Sequence, residues 1–239
     1  MKRALRWVAI VVAVLLVVAG GFWYSIFGKN EPIVDGQILA PGVETVKDEF
    51  VSSFLIDVGS GKFVLVDAGN DKLGKPILAA LARKNLTPSA VTAILLTHGH
   101  PDHTAGIKLF SDAQVYAMQD EVALIGDAAK VTHPLHDGDA FDIGDLHVEA
   151  FATPGHTDGS AVYLARGVLF FGDSAGANKD GTVMQAVRFF SKNPNQNVAS
   201  LKALTARLQP RASEIHELAF AHSGPLVGFA PLAAFAARP

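Results

Sequence analysis

The chain has 239 residues, a net charge of −3 and no cysteine. Without cysteine there are no disulfides, no thiolate metal ligands, no thiol nucleophile and no lipoprotein attachment site. No basic run follows the first few residues, so the chain lacks the electrostatic footprint of a nucleic-acid binder, and its length is ample for one large domain with its own core.

Lys2, Arg3 and Arg6 precede an uncharged run over residues 7–27, close to the ~20 residues that cross a hydrocarbon core. Residues 1–29 therefore read as a membrane anchor or signal segment, and residues 30–239 as a translocated domain, because the basic end stays cytoplasmic. Val17, Val18 and Ala19 before Gly20 offer a cleavage site, whereas Phe22, Trp23 and Tyr24 supply the interfacial aromatics of a retained transmembrane segment. The length favours the anchor. The expected location is a bacterial inner membrane, with the domain in the periplasm or outside the cell.

Residues 30–36, with Pro32 and Gly36, read as a linker. Strand patterns follow at 43–46, 50–58 and 62–66, the last two joined by Gly59, Ser60 and Gly61 as a hairpin. Asp67 stands at the tip of that apolar strand. It either caps the next helix, 73–84, whose Leu73, Ile77, Leu78 and Leu81 have helical spacing, or hydrogen-bonds to a neighbouring loop. A strand at 91–96 runs into the heptapeptide 97–103, Thr-His-Gly-His-Pro-Asp-His, with a helix expected at 105–110. Beyond it the pattern predicts strands at 114–117, 141–143, 146–151, 161–164 and 168–171, helices at 119–125 and 198–208, and a short capping helix at 231–238. Strands with interspersed helices argue for sheets covered by helices.

The heptapeptide carries the chemistry. His98, His100, Asp102 and His103 would need separate hydrogen-bond partners at the end of a buried strand, but they share one partner if it is a divalent cation. His98 and His100, two apart, point to one side of an extended segment, and Asp102 and His103 follow where the chain turns. That arrangement suits two adjacent ions better than one. Three more strand ends bear candidates: His156 in a Pro-Gly turn, Asp173 after an apolar run, and His222 before a Gly-Pro turn. Each alone is an ordinary turn residue; together with the heptapeptide they make a metal site. His133, His136, His147 and His216 stay outside this reading.

In chain order, Asp67, the His98-His100-Asp102-His103 motif, His156, Asp173 and His222 resemble the metallo-β-lactamase-fold superfamily of metal-dependent hydrolases. The resemblance implies an α/β fold, a four-layer αββα sandwich with its site at one edge of two sheets. It implies that His98, His100 and His156 bind one divalent ion and that Asp102, His103 and His222 bind a second. Asp173 would bridge the ions, and Asp67 would hydrogen-bond to the ligand loop. Zinc suits these donors, and iron or manganese fits the same set. The implied chemistry is attack by a metal-bridging hydroxide on an ester, lactone or thioester, with Asp102 orienting it or carrying a proton.

The donor set also narrows the substrate. β-Lactamases with a bridging cysteine, or without a bridging carboxylate, differ from this chain, so a β-lactam is disfavoured. Asp173 makes the site similar to glyoxalase II and the lactonases, yet residues 223–239 are fewer than the helical domain with which glyoxalase II holds glutathione. An iron-dependent, persulfide-dioxygenase-like enzyme is the alternative of another class. Residues 175–197 are expected to face a small-molecule substrate, with Met184, Phe189 and Phe190 covering an acyl chain and Arg188 pairing with a carboxylate. The alternatives for the phenylalanines are packing on the sheet or contact with a bilayer.

Overall fold

The computed structural model describes residues 2–239, except for the side chains at 2–5, 8, 9, 19, 22 and 25–27. Helix α1 (Lys2–Phe27) has 26 residues. Trp7, Leu16 and Val17 on it are exposed. Among the described residues no helix is long and apolar enough to cross a membrane. The transmembrane expectation falls partly on the side chains outside the description, and the fold by itself does not support it. Residues 30–36 are less free than a linker: Asn30 pairs antiparallel with Asn178, and the Glu31 amide donates to the Ala177 carbonyl at 2.9 Å.

The first sheet has seven strands in sequence order, β1 (Ile38–Ala40), β2 (Val43–Asp48), β3 (Val51–Asp57), β4 (Phe63–Val66), β5 (Val91–Leu95), β6 (Gln114–Met118) and β7 (His133–Leu135). Helix α2 (Lys75–Arg83) lies between β4 and β5, the short helix α3 (Pro101–Thr104) follows β5, and α4 (Val122–Ile125) follows β6. The second sheet is built from β8 (Ala140–Ile143), β9 (Leu146–Ala152), β10 (Ala161–Ala165) and β11 (Val168–Phe170). A small hairpin, β12 (Ala175–Ala177) and β13 (Val183–Gln185), and helix α5 (Pro194–Leu208) come next. β14 (Glu217–Ala219) and β15 (Leu226–Val227) then complete the second sheet in the order β15-β14-β11-β10-β9-β8, and α6 (Ala230–Ala236) ends the chain.

Side-chain alternation explains the layers. On β4, Val64 and Val66 join the core between the sheets, while Phe63 and Leu65 join the outer core beneath α2. A strand buried on both faces reads as an unbroken apolar run, as this one does. A third cluster, with Phe171, Leu204 and Phe235, packs α5 and α6 onto the outer face of the second sheet. The result is helix, sheet, sheet, helix.

Strand direction gathers the functional positions. β4 pairs parallel with β5, and β11 parallel with β14, so residues following each pair emerge on a common edge. β9 runs antiparallel to β10, which runs antiparallel to β11, so the end of β9 emerges beside the end of β11. Asp67, the heptapeptide, His156, Asp173 and His222 all follow these strand ends.

Several local expectations are corrected. The helix expected at 105–110 begins instead at Pro101, with His100 extended before it (φ −66°, ψ 151°) and a 3-10 turn at Ile107–Leu109. Proline lacks an amide proton and suits the first helical position, where no partner is needed. α5 starts at Pro194 rather than 198, because the Asn193 side chain accepts from the Gln196 amide at its N-terminus. Phe50 occupies the turn between β2 and β3 rather than a strand, and β7, which holds His133, is not among the expected strands.

Candidate metal centre

Asp67 leaves β4 with φ +59°, a left-handed conformation that costs a residue with a Cβ and persists where its surroundings fix it. What fixes it is the heptapeptide. Asp67 Oδ1 accepts from the Thr97 amide at 2.8 Å, and Oδ2 accepts from the Thr97 hydroxyl at 2.7 Å and from His103 Nδ1 at 2.8 Å. The helix-capping alternative for Asp67 falls to Asp71, whose carboxylate accepts from the Leu73 and Lys75 amides. Tyr163, fully buried, donates its hydroxyl to the Leu96 carbonyl at 2.8 Å and secures the strand end from the other side.

The outer nitrogens of four imidazoles are held by the protein. Since the Thr97 hydroxyl donates to Asp67, it accepts from His98 Nδ1 at 3.1 Å. Likewise Ser191 Oγ donates to the Val187 carbonyl at 2.9 Å and accepts from His156 Nδ1 at 3.3 Å. His222 Nδ1 donates to the Phe50 carbonyl at 3.0 Å, and His103 Nδ1 faces Asp67. Spending the outer nitrogen this way fixes the tautomer and turns the other nitrogen inward.

The inward atoms converge in two groups. His98 Nε2 and His156 Nε2 each lie 3.0 Å from His100 Nδ1 and 3.2 Å from each other. Asp173 Oδ2 stands 3.5 Å from His156 Nε2 and 3.9 Å from His98 Nε2. In the second group, Asp173 Oδ1 is 3.1 Å from His222 Nε2 and 3.2 Å from His103 Nε2, while Asp102 Oδ2 is 3.4 Å from His222 Nε2. The donor atoms of His98, His100, His156 and Asp173 lie within 4.8 Å of one another, as do those of Asp102, His103 and His222. Asp173 presents one oxygen to each.

These residues fit a cation. Among the described residues His103 Nε2 and Asp173 Oδ1 are buried without a hydrogen-bond partner despite their closeness. Such orphaned atoms are costly unless something else satisfies them. Three imidazole nitrogens facing one another pose the same problem, and a divalent ion solves it.

Burial keeps His98 well below the ordinary imidazole range and takes His156 down to about 4, so both are neutral donors at pH 7. Burial opposes charge on His103 and His222 as well. There, however, the Asp173 carboxylate, with Asp67 beside the one and Asp102 beside the other, holds His103 well above the ordinary range and lifts His222 to about 10. Burial would raise Asp173 and Asp102, but His222 and His103 keep both below their ordinary values.

One residue essential to this geometry carries no sequence signal. Glu121, 1% exposed, accepts from the Gly99 amide at 2.7 Å through Oε1, and from the Thr157 hydroxyl and the Gly159 amide, both at 2.8 Å, through Oε2. It ties the loop of His98 and His100 to the loop of His156. Gly159 is required there, since a Cβ on it would lie 2.3 Å from the Glu121 amide nitrogen. Gly172, at φ +53°, plays the equivalent part before Asp173, where a Cβ would lie 2.3 Å from Thr97 Oγ1.

Two cavities open onto the donor groups. One, about 390 Å³, has His100, Asp102, Asp173 and His222 at its base and Trp23, Phe50, Val187 and Phe190 as apolar walls. The other, about 470 Å³, shares His100 and Phe190 and is lined by polar groups including Asp120, Thr157, Asp158 and Lys192. Phe189 and Phe190 border these spaces; Met184 and Arg188 border neither. Met184 packs towards Gly176 on the β12–β13 hairpin, and Arg188 is exposed. Among the described residues His133, His136, His147 and His216 join neither donor group. His133 stacks on Tyr116, and His147 pairs with Asp142 in solvent.

The fold and these donors define a class. The metallo-beta-lactamase superfamily profile matches residues 46–212. The chain belongs to that superfamily. His222, expected from the sequence pattern, lies beyond the matched residues, and the structure brings it beside Asp102 and His103. Among curated relatives, the hydroxyacylglutathione hydrolase of Serratia proteamaculans (strain 568) is 33% identical over 159 residues, covering 63% of this chain and 58% of its own length. That of Cronobacter sakazakii (strain ATCC BAA-894) is 34% identical with the same coverage. The chain thus spans well under two thirds of the length of these relatives. Among solved structures, a subclass B3 metallo-beta-lactamase of Bradyrhizobium japonicum superposes with a TM-score of 0.63 at 21% identity, covering 87% of this chain and 91% of that one. A metallo-beta-lactamase family protein of Thermus thermophilus gives 0.62 at 22% identity, covering 84% and 80%. Both establish likeness of fold.

Proposed function

We propose that the chain is a metal-dependent hydrolase that holds two divalent ions, zinc foremost, and cleaves an ester, thioester or lactone. One observation carries the reading: two donor groups share the Asp173 carboxylate, one oxygen facing each. His98, His100 and His156 would hold one ion, and Asp102, His103 and His222 the other. Ions there supply Lewis acidity for a carbonyl oxygen and acidify water towards neutral pH. The chain's own residues do the rest. Asp67 and Glu121 hold the loops in register, and Phe50 and Ser191 orient His222 and His156. Asp102, a quarter exposed at the cavity base, is held as a carboxylate, able to accept a proton from attacking water and return it to the leaving group. The curated relatives, named as hydrolases of hydroxyacylglutathione, favour an acyl substrate.

The test is metal analysis of the purified chain with a panel of thioester, lactone, ester and β-lactam substrates. About two equivalents of transition metal and activity abolished by chelator are expected. Full activity in chelator, from a chain without metal, would sink the proposal.

Residues 1–29 are proposed as a retained membrane anchor, with residues 30–239 as the hydrolase domain on the outer face of a bacterial inner membrane. The support is Lys2, Arg3 and Arg6 ahead of the uncharged run 7–27, which is helical, with its described apolar side chains exposed. Retention in the membrane pellet after alkaline extraction is expected; release into the supernatant refutes it.

A further inference from the structure

The N-terminal helix does not hang from the domain; it ends against the metal centre. Just past α1, the Lys179 amide donates to the Lys29 carbonyl at 2.9 Å, and the Gly224 amide donates to the Glu31 carbonyl at 2.7 Å. Between them, Asn30 is buried and donates its side-chain amide to the carbonyl of His222 at 2.9 Å. A single side chain separates the end of the helix segment from a proposed ligand. Within the helix, Trp23 packs edge-on against Phe50 with ring centres 5.6 Å apart, and Phe50 stacks on His222 at 5.7 Å. Helix α1 therefore supplies one wall of the cavity over the donor atoms.

The two cavities carry exposed apolar side chains at their openings. Outside α1, seven described large apolar side chains are exposed, and three of them, Leu124, Phe189 and Phe190, border the two cavities at the donor groups. Phe189 is 73% exposed, so packing on the sheet does not account for it. Exposed apolar groups clustered at a site opening mark an interaction surface. Phe190 and His100 line both chambers; the first has apolar walls, and the second mixes Leu124 and Phe189 with Asp120, Asp158 and Lys192. A scissile carbonyl at the donor groups would thus have an apolar compartment on one side and, on the other, one that offers charged and hydroxyl side chains to a polar group.

We infer that the substrate is an amphiphile drawn from the bilayer surface, its acyl chain lying along Trp23, Phe50, Val187 and Phe190 and its polar leaving group in the chamber beyond Phe190. This rests on the hydrolase and anchor readings above. Water adds its oxygen to the acyl carbon, the carbon–oxygen or carbon–sulfur bond breaks, and the water's proton ends on the departing oxygen or sulfur. The products are a long-chain carboxylic acid and a polar alcohol or thiol.

The chain's two tryptophans are Trp7 and Trp23, so Trp7→Phe leaves Trp23 as a sole reporter. In nanodiscs, the full chain with this change is titrated with butanoate, octanoate and dodecanoate, following Trp23 fluorescence. The dissociation constant is expected to tighten at least about tenfold from butanoate to dodecanoate, which corresponds to ~1.4 kcal/mol. Adding Phe190→Ala should remove most of that gain, with partitioning into the nanodisc unchanged. A constant that does not vary with chain length, or a gain that survives Phe190→Ala, overturns the inference. Turnover of acyl thioesters of the same lengths is measured alongside. Chain-length-dependent binding with no turnover supports the amphiphile site and refutes thioester hydrolysis. Equal turnover of short and long substrates with flat binding does the reverse.

Discussion

Glu121→Ala removes the carboxylate that joins the two histidine loops, and its cost follows from the hydrogen bonds. Three buried donors lose their acceptor: the Gly99 and Gly159 amides and the Thr157 hydroxyl. Each unpaired buried donor costs about 1–3 kcal/mol. Relief of a buried charge offsets part of the sum. A net loss of about 3–5 kcal/mol is expected, which at ~2–4 °C per kcal/mol lowers the melting temperature by about 10 °C. Glu121→Gln should fall between. Its carbonyl can serve the Thr157 and Gly159 donors, but its amide nitrogen then faces the Gly99 donor. Affinity for the ion proposed at His98, His100 and His156 should drop about 10- to 100-fold, as for residues that orient metal ligands. The Asp102, His103 and His222 group, secured by Asp67 and Phe50, should change less. Thermal unfolding with chelator competition measures both. A melting temperature within about 1 °C of the parent, with first-ion affinity intact, would refute the reasoning.

Asp173→Ala should lower second-ion occupancy and rate together, because one oxygen from this residue faces each group; unchanged occupancy would contradict the bridging role. Arg211 donates two hydrogen bonds to Glu149, at 2.8 and 2.7 Å, and this pairing holds the Glu149 carboxyl below its ordinary value. A depressed folded value means stabilisation that is present above the unfolded value and lost as pH falls through the folded one. Since the pair is partly exposed, Arg211→Gln should cost about 1 kcal/mol or less at pH 7, and the cost should shrink as pH falls through the folded value of Glu149, read by urea unfolding across the acid range. Asn193→Ala removes the cap of α5 and should cost about 1 kcal/mol, seen as a small fall in melting temperature with metal content unchanged.

The clustering of His98, His100, Asp102, His103, His156, Asp173 and His222 was legible because all are residue types that metals take and because each candidate follows an apolar strand, so they stand out from their neighbours. Asp67 was half legible. A strand-end acid caps helices as readily as it holds loops, and only the left-handed turn at Asp67, with Asp71 taking the cap, decides between them. Glu121 was illegible: its partners are 22, 36 and 38 residues away, and a Glu in a Gln-Asp-Glu stretch looks solvated. The same holds for Trp23 and Phe50, which read as anchor and strand; the cavity they wall exists only once distant segments pack. β7, β12 and β13, at three residues each, are too short for alternation to show. The start of α3 did have a signal in Pro101, obscured by the density of ligands around it.

The central claim is that seven side chains form one two-ion centre bridged by Asp173. A crystal structure of the zinc-loaded chain, with anomalous scattering at the zinc edge, tests it most directly. Two anomalous peaks are expected, one amid His98, His100 and His156 and one amid Asp102, His103 and His222, with an Asp173 oxygen facing each. A single peak, or peaks away from these donors, would contradict the account.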